Sequence, residues 1–164
     1  TRYTYNVTLF TEEHVIVTEG NLSDWIEGPS ANATAERTIE ESPLIKGSKK
    51  DPYTVAEAQV NQGRTQVWVE GYIVGAFKSN SIGSFTADVT EASASNLALA
   101  DGQYETETSR MIPVQLPSGA LRDALNIKDN PGNIQRKVMI KGNLESYFST
   151  SGLQSPKEYE LIDP

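Results

Sequence analysis

His14, Asp101, Glu105, Glu107 and the run Asp129-Asn130-Pro131-Gly132-Asn133 are the residues whose types could support catalysis or hold a metal. His14 is the only histidine and there is no cysteine, so neither a zinc site nor a histidine-based triad has a ligand set. Asp101, Glu105 and Glu107 could run hydrolysis as paired carboxylates, but that chemistry needs an apolar pocket to raise one pKa. Their neighbours are polar, which predicts a solvated acidic loop. The run at 129–133 is similar in composition to a calcium loop, yet it lacks the alternating ligands and the distant glutamate of an EF-hand. It predicts a turn. No glycine-rich phosphate cradle is present. These residues predict no enzyme and no cofactor.

The elements that would position any site are mostly strands. Val67–Phe77 alternates over eleven residues, with Val67, Val69, Ile73 and Phe77 on one face and Gly71 and Gly75 between them. Trp68 and Tyr72 fall on the opposite face. They could form a stacking platform, but the favoured expectation is that a preceding helix packs over them. Shorter strands follow at 96–100 and at 111–116, where Pro113 should lie at an edge or bulge. A second strong strand spans 137–147 and a last one 159–162. The pattern V-x-[VI]-x-G-x-[IL] occurs twice, as Val67, Val69, Gly71, Ile73 and as Val138, Ile140, Gly142, Leu144. If these two strands pair antiparallel with their glycines close, Glu70 and Lys141 meet across the outer face.

Two helices are expected. Thr54 with Glu57 forms a T-x-x-E capping box that opens a helix running to Val60. Ser118 would cap a second one carrying Leu121, Ala124 and Leu125 on its apolar stripe. The order from Val67 onward is three strands, a helix and two strands. That is the order of a five-stranded OB-like barrel, and the fold class is mainly β. Upstream, the alternation of Tyr3, Tyr5, Val7 and Leu9, a turn near Glu12, and Val15-Ile16-Val17 predict an N-terminal β-hairpin. The expected layout is a hairpin over 1–26, a linker over 27–50 and the OB-like domain over 51–164.

In OB-folds, ligands usually meet the second and third strands and the loops after the first and fourth. Those loops contain Lys78, Asn80, Phe85, Tyr147, Phe148 and Lys157, which are the candidate ligand-binding residues. Few of them are cationic. The net charge of −8 also argues against a phosphate backbone as partner. Hydrophobic content of 37% with no apolar run of membrane-spanning length predicts a soluble chain without a transmembrane segment. It starts at Thr1 rather than Met, which suggests a trimmed form.

The segments Asn96-Leu-Ala-Leu-Ala-Asp101, Ile112-Pro-Val-Gln-Leu-Pro117, Leu121 to Asn133, Lys141-Gly-Asn-Leu-Glu145, Tyr147-Phe148 and Gly152-Leu153 carry a resemblance. Over about 52–162 the chain resembles an OB-fold-like domain of unknown function from secreted and surface lipoproteins of Bacteroides-type bacteria. Arg2 to Leu9, Val15 to Val17 and Leu22 to Trp25 are similar to the closing strands of fimbrillin-like pilus or adhesin domains. The resemblance implies an extracellular or outer-membrane location, with a lipid anchor in a precursor as one form of it. It also implies a non-enzymatic binding or adhesion module whose partner is an extracellular protein or glycan, or a neighbouring pilus-type subunit reached through the hairpin. The alternative expectation is single-stranded nucleic-acid binding through the barrel.

Overall fold

A computed structural model describes residues 7–10, 14–17 and 45–162. The chain divides into two compact units, Thr1–Glu40 and Glu41–Pro164. In the first, strands β1 (Val7–Phe10) and β2 (His14–Val17) pair antiparallel with Val7 opposite Val17 and Phe10 opposite His14. The predicted hairpin is present, and His14 opens its second strand instead of ending the turn. The expected piece at 21–26 and the linker over 27–44 lie outside the described residues.

The second unit is mainly β. It holds helices α1 (Val55–Val60) and α2 (Ala120–Leu125) and strands β3 (Val67–Phe77), β4 (Phe85–Thr86), β5 (Asn96–Ala100), β6 (Met111–Gln115), β7 (Lys137–Leu144) and β8 (Leu153–Ile162). The six strands form one sheet in the order β4-β3-β5-β6-β8-β7, and β3 also pairs with β7. The hydrogen-bonded order therefore returns to β3. This layout differs from the sequence expectation in two ways. A two-residue β4 folds back on the end of β3, and the last strand begins at Leu153, well before Tyr159. Ser155, Pro156 and Lys157 bulge opposite Gly142, because Lys141 pairs with Glu158 while Asn143 pairs with Gln154. Pro113 lies inside β6, beside the single parallel pair Val114–Leu153 that joins β6 to β8.

The main core holds Val69, Ile73, Leu97, Leu99, Ile112, Val114, Val138, Ile140, Leu144 and Leu153, with Val55 and Ala58 from α1 and Leu125 from α2. The capping box forms as expected. Thr54 Oγ1 accepts the Glu57 N–H, and the Glu57 carboxylate accepts the Thr54 N–H at 2.8 Å. Ser118 does not cap α2, whose N-cap is Gly119.

Four expectations about β3 are corrected. A bulge between Ile73 and Gly75 offsets the alternation, so Ala76 enters the main core and Phe77 points to the opposite face with Val74. The glycines are not paired: Val67 faces Gly142 and Gly71 faces Val138. Glu70 consequently sits opposite Met139 and bridges to Lys137 at 2.6 Å, while Lys141 bridges to Glu158 at 2.6 Å. Helix α1 does not cover Trp68. It packs on the inner side, where Val55 Cγ2 lies 2.8 Å from the place a Gly71 Cβ would occupy. Trp68 is covered instead by the turn at 46–50. Its N–H donates to the Gly47 carbonyl at 2.8 Å, and Lys49 Nζ stands 5.4 Å from the ring centroid.

Candidate binding site

Phe77, delivered to the far face of β3 by the bulge, anchors a second apolar cluster with Val74, Ala98, Ala100 and Met111. Asn96, itself buried, fixes the backbone of Phe77 in both directions: its Oδ1 accepts the Phe77 N–H at 2.7 Å and its Nδ2 donates to the Phe77 carbonyl at 3.1 Å. Gly75 lets β4 cross closely. A Cβ there would strike the Thr86 carbonyl oxygen and lie 2.7 Å from the Phe85 ring. Phe85 thus reaches Phe77 edge-on at 6.1 Å between ring centroids.

The loop after β7 completes the row. Tyr147 and Thr150 exchange backbone hydrogen bonds of 2.9 and 3.3 Å around a two-residue turn. Both turn residues, Phe148 (φ 55°) and Ser149 (φ 60°), are in the left-handed region that favours glycine or asparagine. Phe148 meets Phe77 edge-on at 5.7 Å, and Tyr147 stacks on Phe148 at 3.9 Å with an interplanar angle of 25°. The rings of Phe85, Phe77, Phe148 and Tyr147 form a continuous row, of which Phe77 is buried and the other three are half-buried. Burial pushes the Tyr147 hydroxyl pKa up, and the positive charge of Arg122 on α2 acts in the opposite sense. Arg122 Nε donates to the Leu116 carbonyl at 2.7 Å.

Of the six residues predicted from sequence, the structure brings Phe85, Tyr147 and Phe148 together. Lys78 and Asn80 are exposed in the loop after β3, and Lys78 is paired with Glu91 at 3.2 Å. Lys157 is exposed in the β8 bulge and does not belong to the loop after β7. Sequence reading missed Phe77, whose face changes at the bulge, and Arg122, which looked like an ordinary polar residue of α2.

The acidic residues have other tasks. Asp101 and Glu105 line a cleft of about 370 Å³ with Ala56, Gln59, Gly102 and Arg110. The Asp101 carboxylate accepts the N–H groups of Val55 at 2.7 Å and Ala56 at 3.0 Å. Glu105 accepts from Glu107 N–H and Thr106 N–H, and the bond from Glu107 is the main cause of its lowered pKa. A general acid requires the opposite shift. At 126–133 the asparagines serve α2: Asn130 Nδ2 donates to the Asp123 carbonyl and Asn133 Nδ2 to the Ala124 carbonyl. No group of three or more His, Cys, Asp or Glu placed to hold a metal occurs among the described residues. Nor is any described helix long and apolar enough to cross a membrane.

The second unit is thus a mainly-β domain with two short helices and an aromatic row held by two loops. The chain belongs to the family described as Domain of unknown function (DUF6359), whose model matches residues 53–162. It is also 31% identical over 119 residues to "Endonuclease YhcR" of Bacillus subtilis (strain 168), an alignment covering 73% of this chain and 10% of that protein. The matched region is therefore a small part of that relative. No solved structure matches the chain.

Proposed function

We propose that this chain is a non-enzymatic binding module of a secreted or cell-surface protein, its returning sheet an OB-like barrel that seats a ligand on the aromatic row. The observation that carries the reading is the Tyr147–Phe148 stack, presented by a turn in which two non-glycine residues have positive φ. Such backbone is costly, roughly 1–3 kcal/mol per residue, and clusters at ligand clamps. A matched region that forms a tenth of a long relative fits an accessory module. The ligand in this reading is an extracellular glycan or protein. The lipoprotein setting and the fimbrillin-like origin of the β1–β2 hairpin, with pairing to a neighbouring pilus-type subunit, belong to the same proposal.

Single-stranded nucleic acid is the second reading, and the endonuclease relative favours it. The net charge of −8 and the pairing of Lys78 with Glu91 beside the row weigh against it. A glycan array and a whole-cell pull-down test the first reading, with binding expected and lost in Tyr147→Ala. Fluorescence anisotropy with single-stranded DNA at low salt tests the second, whose signature is affinity that falls steeply as salt rises.

A further inference from the structure

Most half-buried or structured cations of this domain are already neutralised. Lys46, Lys49, Lys78, Arg110, Lys137 and Lys141 each have a carboxylate within ion-pair distance. Arg122 is different. Its side chain is half-buried, its Nε is fixed by the Leu116 carbonyl at 2.7 Å, and it has no carboxylate partner among the described residues. Holding Nε leaves the two terminal nitrogens of the guanidinium as donors, and their fork geometry matches a carboxylate. The charge acts on the hydroxyl of Tyr147, so the fork stands at the Tyr147 end of the aromatic row.

We infer that Arg122 and the Tyr147–Phe148 stack together form a subsite for a carboxylated pyranose, as found in uronic- or sialic-type sugars of an acidic glycan. The inference rests on the binding reading above and names its ligand class. A sugar ring presents a C–H face that packs on an aromatic ring, and a ring carboxylate alongside it would reach the fork. One fixed cation beside one stack suits an isolated carboxylate. A nucleic-acid strand would call for cations in series along its backbone. In a chain of net charge −8, a local positive site also selects for one ligand geometry over general attraction to polyanions.

The test uses the full chain and titrates D-glucuronic acid, N-acetylneuraminic acid and neutral N-acetylglucosamine by NMR, with a short oligothymidylate as a fourth probe. An acidic sugar should shift the ring signals of Tyr147 and bind tighter than the neutral one. Arg122→Gln should remove that preference, with a loss of about tenfold, the effect of one charge-assisted bond, and leave neutral binding unchanged. Arg122→Lys, which keeps the charge but not the fork, should recover part of it. Thermal melts show that both variants fold. Neutral and acidic sugars binding alike, or Arg122→Gln retaining the preference, would overturn the inference while leaving the glycan reading in place. Binding of none of the sugars, or of the oligothymidylate alone, overturns the inference and counts against the glycan reading as well.

Discussion

Gly71 of β3 lies directly across the ladder from Val138 of β7, and the reciprocal pair sets Val67 against Gly142. The two copies of V-x-[VI]-x-G therefore meet about a local two-fold centred on Val69 and Ile140. Each glycine leaves room for an element packed on the inner side. At Gly71 this is Val55 of α1, and at Gly142 it is Leu153 of β8.

Alanine at either position should be costly. A Cβ at Gly71 would lie 2.8 Å from Val55 Cγ2 and 3.1 Å from the Ala100 carbonyl oxygen. At Gly142 it would lie 2.6 Å from Leu153 Cδ2 and 2.9 Å from the Gln154 carbonyl oxygen. Backbone carbonyls cannot swing aside as side chains do. Gly71→Ala and Gly142→Ala should each lose about 1–3 kcal/mol in denaturant unfolding, the range for overpacked cores. An unchanged midpoint would show that β3 and β7 do not fit together this closely.

Asp101 should stabilise the domain without touching any ligand. Its carboxylate satisfies two N–H groups at the start of α1 across a separation of 46 residues to Val55. Asp101→Ala should cost about 1 kcal/mol, as for loss of a helix cap, and Asp101→Asn less, since the amide oxygen still accepts. Thermal melts of the two variants decide it, and equal losses would contradict the hydrogen-bonding role.

Ser149→Gly should raise stability. Its φ of 60° costs a side-chain-bearing residue roughly 1–2 kcal/mol, and glycine removes that cost while adding some unfolded-state entropy. A net gain of about 0.5–1 kcal/mol in chemical unfolding is expected. A loss would mean the Ser149 side chain makes a stabilising contact.

Stability should fall in acid. Glu57 has its pKa lowered chiefly by the Thr54 N–H and then by Lys46; Asp88 chiefly by the Thr90 hydroxyl; and Glu105 chiefly by the Glu107 N–H. A carboxylate whose folded pKa is depressed contributes stability above its unfolded value, about 4, and loses it as pH falls through the lower folded value. Melting temperature should therefore decline below about pH 4–5, and Glu57→Gln should flatten part of that decline. A flat profile from pH 6 to pH 3 would refute the assignment.

Much of the fold is legible in the chain because the relevant signals are local. Alternation over Val67–Phe77 and Asn96–Ala100 marks those strands to the residue, and the Thr54–Glu57 spacing marks the start of α1. Tertiary events were hidden. The bulge after Ile73 moves Phe77 to the other face with no composition signal beyond Gly75. The polar stretch Gln154-Ser155-Pro156-Lys157-Glu158 gives no hint that it continues β8, since only its pairing with β7 makes it a strand. Half of the site followed from loop position, as Phe85, Tyr147 and Phe148 show. Arg122 did not, because its role depends on Leu116 and Tyr147, six and twenty-five residues away.

The central claim is that the row ending in Tyr147 and Phe148 is where this domain holds its ligand. The most direct measurement is a glycan array read with the wild-type chain and with Tyr147→Ala, both first shown to melt cooperatively. Wild-type binding to a defined subset of glycans, absent in Tyr147→Ala, is the predicted result. Equal binding by the two proteins would place the ligand elsewhere on the domain and contradict the claim.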